Sequence, residues 1–157
     1  MSIKKRRREK WSRPQITRAI HSALERKYWS KNWITFTEIQ PGSAEATGGR
    51  RVDFVALKQS YKNPEIVGVE VKSGLDDFRV DEKWEEYCQY FTRFYIACPA
   101  ETITIDMIPP GVGLLWWKFG DYVYTQQSAE IGGEIGVELL LALLFRNGPQ
   151  KGLRGKL

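Results

Sequence analysis

The feature that most narrows the fold is a pair of valine-rich segments, RVDFVALK at 51–58 and EIVGVEVK at 65–72, separated by the turn-prone QSYKNP. Side chains alternate across a strand, so Val67, Val69 and Val71 share one face and Ile66, Gly68, Glu70 and Lys72 the other. The first segment splits likewise into Val52, Phe54 and Ala56 against Asp53, Val55 and Leu57. An antiparallel hairpin that sets Val52, Phe54 and Ala56 opposite Val71, Val69 and Val67 gives one continuous apolar face. A slip of one residue would destroy it.

That register also sets Asp53 opposite Glu70, with β-carbons about 5 Å apart, where two carboxylates repel unless a cation lies between them. Hard oxygen donors in this arrangement suit Mg²⁺, with Mn²⁺ as a substitute, because Mg²⁺ keeps several waters and takes one or two protein carboxylates plus substrate phosphate. Lys72, on the same face as Glu70, could activate the attacking water or steady charge developing on phosphate. Gly68 is expected to leave this face open. Glu38, in WITFTEIQ, is a third acid within reach of the site. The bland alternative pairs Asp53 and Glu70 with Arg51, Lys72 or helix residues as ordinary strand-end charges.

Charge distribution points to a polyanionic partner. The 157 residues sum to +5, yet residues 1–13 hold seven Lys/Arg against one Glu, a surplus of six, so the remainder is slightly negative. Residues 1–13 are expected to form a basic, flexible tail in which Lys4, Lys5, Arg6, Arg7 and Arg8 contact nucleic acid by releasing condensed counterions. Residues 147–157, ending KGLRGKL, form a second basic tail. Between them, residues 14–146 read as a single α/β domain, and a domain of this size buries roughly 70% of its unfolded surface. Cys88 and Cys98 lie outside any CxxC spacing and the single His21 cannot complete a zinc site, which fits a reducing cytoplasmic setting. The apolar run IGVELLLALLF is interrupted by Glu138 and is too short to span a bilayer, so no membrane association is expected.

Ser12 followed by Gln15 has the form of a capping box, with Pro14 suited to a first turn. Ile16, Ala19, Ile20, Ala23 and Leu24 then recur at helical spacing. WITFTEIQ alternates as a strand, and PGSAEATGGR reads as a loop. After the two valine-rich strands, a second helix is expected from Asp76 or Asp77, with Trp84, Tyr87, Cys88 and Phe91 on one stripe. Lys83 and Tyr87, four apart, would share a helix face turned toward phosphate, and Arg79 is equally open to a substrate contact or none. His21 reads as a surface or packing residue. RFYIACP is a strand, GLLWWKF and DYVYTQ a hairpin turning at Gly120 and Asp121, and GEIGVELLLALLFR a closing helix.

Asp53, followed by Glu70 and Lys72 in VEVK, resembles the PD-(D/E)XK nuclease signature, with Val52 in place of its leading Pro. More specifically, RRVDFVAL and VEVKSGLDDFRVDEKWEEYCQYFTRFYIACP are similar to the MmcB-type DNA-repair family over about residues 14–100. The resemblance implies a restriction-endonuclease-like αβββαβ core with a mixed central sheet flanked by helices, to which the hairpin and C-terminal helix are added. It implies metal-dependent hydrolysis of DNA, with Asp53 and Glu70 as ligands, the Val71 carbonyl as a further ligand, and Lys72 as catalytic. The supporting acid is Glu38 or Glu25, with Glu38 preferred. Two other readings stand beside it: a catalytically silent DNA-binding or repair-complex adaptor, and a protein-interaction domain with structural acids. Specificity and oligomeric state, a homodimer included, stay open.

Overall fold

The computed structural model describes residues 10–80 and 83–146; residues 1–9, most of the expected N-terminal tail, and residues 147–157, the expected C-terminal tail, lie outside them. Helix α1 (Arg13–Lys27) begins as its sequence requires. The Ser12 hydroxyl accepts from the Gln15 N–H at 3.3 Å, and the Ser12 N–H donates to the Gln15 side chain at 2.8 Å. Such a cap stabilises a helix by about 1 kcal/mol. Ile20, Ala23 and Leu24 are buried against one face of the sheet, while Arg18, Glu25 and Arg26 stay wet. Burying each of the two large aliphatic side chains contributes roughly 1.5–3 kcal/mol. Trp11 and Arg13, assigned by sequence to the tail, are structured: Trp11 packs edge-on against Trp117 and Arg13 opens the helix.

Six strands, β1 (Trp33–Ile39), β2 (Val52–Lys58), β3 (Ile66–Val71), β4 (Arg93–Pro99), β5 (Gly113–Trp117) and β6 (Val123–Gln127), form one sheet in chain order. The β1–β2, β2–β3 and β5–β6 pairs are antiparallel, and β3–β4 and β4–β5 are parallel. This is the expected mixed sheet and αβββαβ order, with the hairpin joined to the same sheet. The β2–β3 ladder has the register anticipated from the valines: Phe54 pairs with Val69, Val55 with Gly68, Ala56 with Val67 and Leu57 with Ile66.

Two departures arise at the end of this ladder. Val52 was expected beside Phe54, but it packs with Val55 and Ile66 in the core on the opposite face, whereas Phe54, Ala56, Val67, Val69 and Val71 pack under α1. The cause is local. Glu38 adopts a left-handed φ of 55°, interrupting the β1–β2 pairing between Thr37↔Phe54 and Ile39↔Val52. The strand alternation is broken there, so Ile39 joins Phe36 and Val52 in the same core.

The second expected helix is two pieces. Helix α3 (Leu75–Val80) is followed by a 3₁₀ helix, Lys83–Tyr90. At three residues per turn, side chains three apart line up and those four apart do not. Trp84 and Tyr87 are buried and Tyr90 is half-buried, which is that period. Asp77 does not cap α3; its carboxylate accepts from the Ser73 N–H at 3.0 Å and from the Ser73 hydroxyl at 3.2 Å. The PGSAEATGGR loop contains a short helix α2 (Ala44–Thr47), capped by Ser43 and closed by Gly48 at φ 65°.

Gly68 does not leave its face open. A β-carbon there would lie 2.7 Å from the Phe91 ring, so the glycine admits an aromatic side chain to the core. Helix α4 (Val137–Arg146) buries Leu139 and Leu143 in the same layer, and leaves Val137, Leu140, Leu141, Leu144 and Phe145 exposed. No described helix is long and apolar enough to cross a membrane.

Candidate active site

Asp53 and Glu70 stand just past the point where β2 and β3 part. Backbone pairing stops at Phe54↔Val69, one residue short of Asp53 and Glu70, so these are not the ladder pair expected from the sequence. Beyond that point the Asp53 carboxylate substitutes for a strand partner: it accepts a hydrogen bond from the Val71 N–H at 2.7 Å. On the other side β3 is held by β4, with Glu70 paired to Ile96, Val71 to Ala97, and the Lys72 N–H donating to the Ala97 carbonyl at 2.8 Å. The strand that carries Glu70 and Lys72 is therefore internal, and side-chain alternation places both on one face.

Burial makes this pair unusual. Lys72 is 2% exposed and Glu70 7%, and the Lys72 ammonium stands 3.7 Å from a Glu70 carboxylate oxygen. Charged side chains are almost never this deeply buried without partners. Asp53 is half-buried, and desolvation pushes its carboxyl above the ordinary carboxylate range. The Val71 N–H opposes that shift, Glu38 reinforces it, and His21 and Lys72 oppose it. Glu38 is exposed, and its negative charge acts on Asp53. Glu25, the other candidate acid, is an exposed residue of α1 and is not among the charges acting on Asp53.

His21 is the residue that sequence reasoning missed. It projects from α1, half-buried, with its ring 6.4 Å from that of Phe54 and its charge felt at Asp53. No local pattern marks it; only packing of α1 on β2 brings it there. The remaining candidates separate. Tyr87 lies in the core with Trp84 and Phe91 and offers no surface for a ligand. The Lys83 side chain and Lys4, Lys5, Arg6, Arg7 and Arg8 lie outside the described residues. Arg79 is exposed on α3. Burial pushes the thiols of Cys88 and Cys98 up to about 11 and about 12, which keeps both from acting as thiolate nucleophiles.

The donor set is hard and oxygen-rich. Among the described residues there is no group of three or more His, Cys, Asp or Glu side chains arranged to hold a metal ion. Two carboxylates, with the backbone carbonyl that follows the second, are donors of the kind that suits a cation keeping several waters.

A sequence model described as DNA repair protein MmcB-like matches residues 6–131, most of the chain. The chain belongs to the MmcB-like family. The matched span contains every strand of the sheet together with Glu38, Asp53, Glu70 and Lys72. No curated protein matches the sequence. Among solved structures, a protein of unknown function from Silicibacter pomeroyi is similar, with a TM-score of 0.67 and 22% identity over 90% of each chain. At that identity the likeness speaks for the fold alone.

Proposed function

We propose that this MmcB-like protein is a divalent-cation-dependent DNA phosphodiester hydrolase of the PD-(D/E)XK type, acting in DNA repair or related processing in the cytoplasm. The observation that carries this reading is the buried Glu70–Lys72 pair at 3.7 Å, on the strand whose Val71 N–H holds Asp53. Perturbed, partly desolvated charges in one cluster are the usual mark of a chemical site.

Asp53, Glu70 and the Val71 carbonyl would hold Mg²⁺, which when bound supplies a Lewis acid for the phosphoryl oxygens. Lys72 faces the developing charge on the phosphate from a buried position, where an ammonium interacts more strongly than it would in water. Glu38, at the exposed mouth, accepts a proton from the attacking water. His21 and the Val71 N–H hold the Asp53 carboxylate against its own desolvation. Arg79 and the basic residues 4–8 contribute phosphate contacts without reading sequence.

A second reading, a DNA-binding adaptor without turnover, draws on one observation: Lys72 is already engaged with Glu70. Plasmid and single-stranded DNA incubated with Mg²⁺ or Mn²⁺ separate the two. Metal-dependent nicking by the native protein, lost in both Lys72→Ala and Glu70→Gln, is the expected result. Binding with no nicking at any metal concentration would remove the hydrolase and leave the adaptor.

A further inference from the structure

We infer that the rim formed by the start of α1 and the β5–β6 turn is a stacking site for unpaired nucleic-acid bases, at the same end of the sheet as the acid site. This rests on the DNA reading above and names its substrate class as single-stranded. Two segments distant in sequence converge here. Trp11 lies 5.2 Å from Trp117 and 6.2 Å from Phe119, ring centre to ring centre, and Trp117 lies 4.5 Å from Phe119. Trp117 is core, and covering it would account for some aromatic surface. It does not account for how much stays outside: Trp11 is 38% exposed, Phe119 51%, Tyr122 58% and Tyr124 47%. Tyr122 makes no ring contact among the described residues. Scattered exposed aromatics are ordinary, whereas several together mark a contact surface.

Backbone and charge favour a polyanionic occupant with flat faces. Phe119 sits at a left-handed φ of 60°, a conformation uncommon for a bulky residue and one that clusters at ligand-contacting segments. The Lys118 ammonium stands over the Tyr124 ring at 4.7 Å. Lys10, Arg13 and Arg18 are exposed, and the first turn of α1 contains no acid. The acid of the turn, Asp121, is 3.8 Å from Arg26. Aromatic faces interleaved with cations are how proteins hold single strands without reading sequence.

The rim lies at the same end of the sheet as the acids. In the parallel part of the sheet Val71 pairs with Ala97, Ala97 with Leu115 and Pro99 with Trp117, so β3 and β5 end on the same side. Two strand spacings, roughly 10 Å, separate them. Ligands of open α/β sheets gather beyond such carboxyl ends. Along α1, Arg13 to His21 covers roughly 12 Å of axis. Arg18 stands one turn before His21, which acts on Asp53.

The test uses full-length Glu70→Gln protein without divalent metal, so that binding is read apart from cleavage. Fluorescence anisotropy compares a short single strand, an abasic strand with the same number of phosphates, and a duplex. The base-bearing strand is expected to bind about tenfold tighter than the abasic one. Phe119→Ala with Tyr122→Ala should abolish that difference while leaving abasic affinity in place. Phe119→Leu, which keeps an apolar cover over Trp117, should reduce it with an unchanged melting temperature. Equal affinity for base-bearing and abasic strands, tighter binding of duplex, or a difference that survives the aromatic substitutions would overturn the inference. If the native protein nicks DNA but shows one of those results, the stacking site falls and the hydrolase stands.

Discussion

Asp53 is where electrostatics and chemistry pull in opposite directions. Its folded-state pKa is raised, first by burial, so the folded protein takes up a proton more readily than the unfolded chain does. Stability tied to this group is therefore present at low pH and lost as pH climbs from about 4 through the folded-state value. Asp53→Asn removes the penalty and keeps an oxygen that can accept from Val71. In chelator, it should melt higher than the native protein at neutral pH. Added Mg²⁺ should raise the melting temperature of the native protein and not that of the variant. Thermal melts between pH 4 and 8 decide it; a variant that melts lower at neutral pH would refute the electrostatic account.

At the scale of elements, the glycine of β3 is a packing device. Gly68→Ala forces a methyl group to within 2.7 Å of the Phe91 ring in a filled core, and overpacking of that kind costs typically 1–3 kcal/mol. Denaturant unfolding should show that loss, and an unchanged midpoint would mean that Phe91 can yield. The same strands show what sequence conveys. Phe54, Ala56, Val67 and Val69 set the hairpin register because only one pairing buries all four on one side. Val52 escaped that logic because a side-chain bond from Asp53 and the twist at Glu38, neither a matter of alternation, decide where the ladder stops. For the segment after Asp76, Trp84, Tyr87, Cys88 and Phe91 satisfy spacings of three and four alike. Trp84 stacks on Phe78 and Phe94, neighbours that lie outside its own helix and so outside any periodicity. His21 comes near Asp53 for the same reason.

Across the whole molecule, the proposed function assigns affinity and chemistry to separate parts. Residues 1–9 hold five Lys/Arg against one Glu, while the acids and Lys72 belong to the sheet. Because Ser12 caps α1 and Trp11 packs on Trp117, a deletion should stop at residue 9 to leave both intact. Removing residues 1–9 is expected to weaken DNA binding and flatten its dependence on salt, by roughly 0.9 in logarithmic slope for each phosphate that the tail had neutralised. Metal-dependent nicking should persist at low salt. Loss of nicking with unchanged binding would place the basic residues in the chemistry instead.

Because the six strands lie side by side in the order they are synthesised, no later segment has to slip between earlier ones. A chain leaving the ribosome can close the first meander while the rest is still being made. Glu38, Asp53 and Glu70 all belong to that meander, and the Glu38 charge opposes that of Asp53 before the parallel half of the sheet arrives. Refolding of the first half should accordingly be quickened by mild acid or by divalent cations.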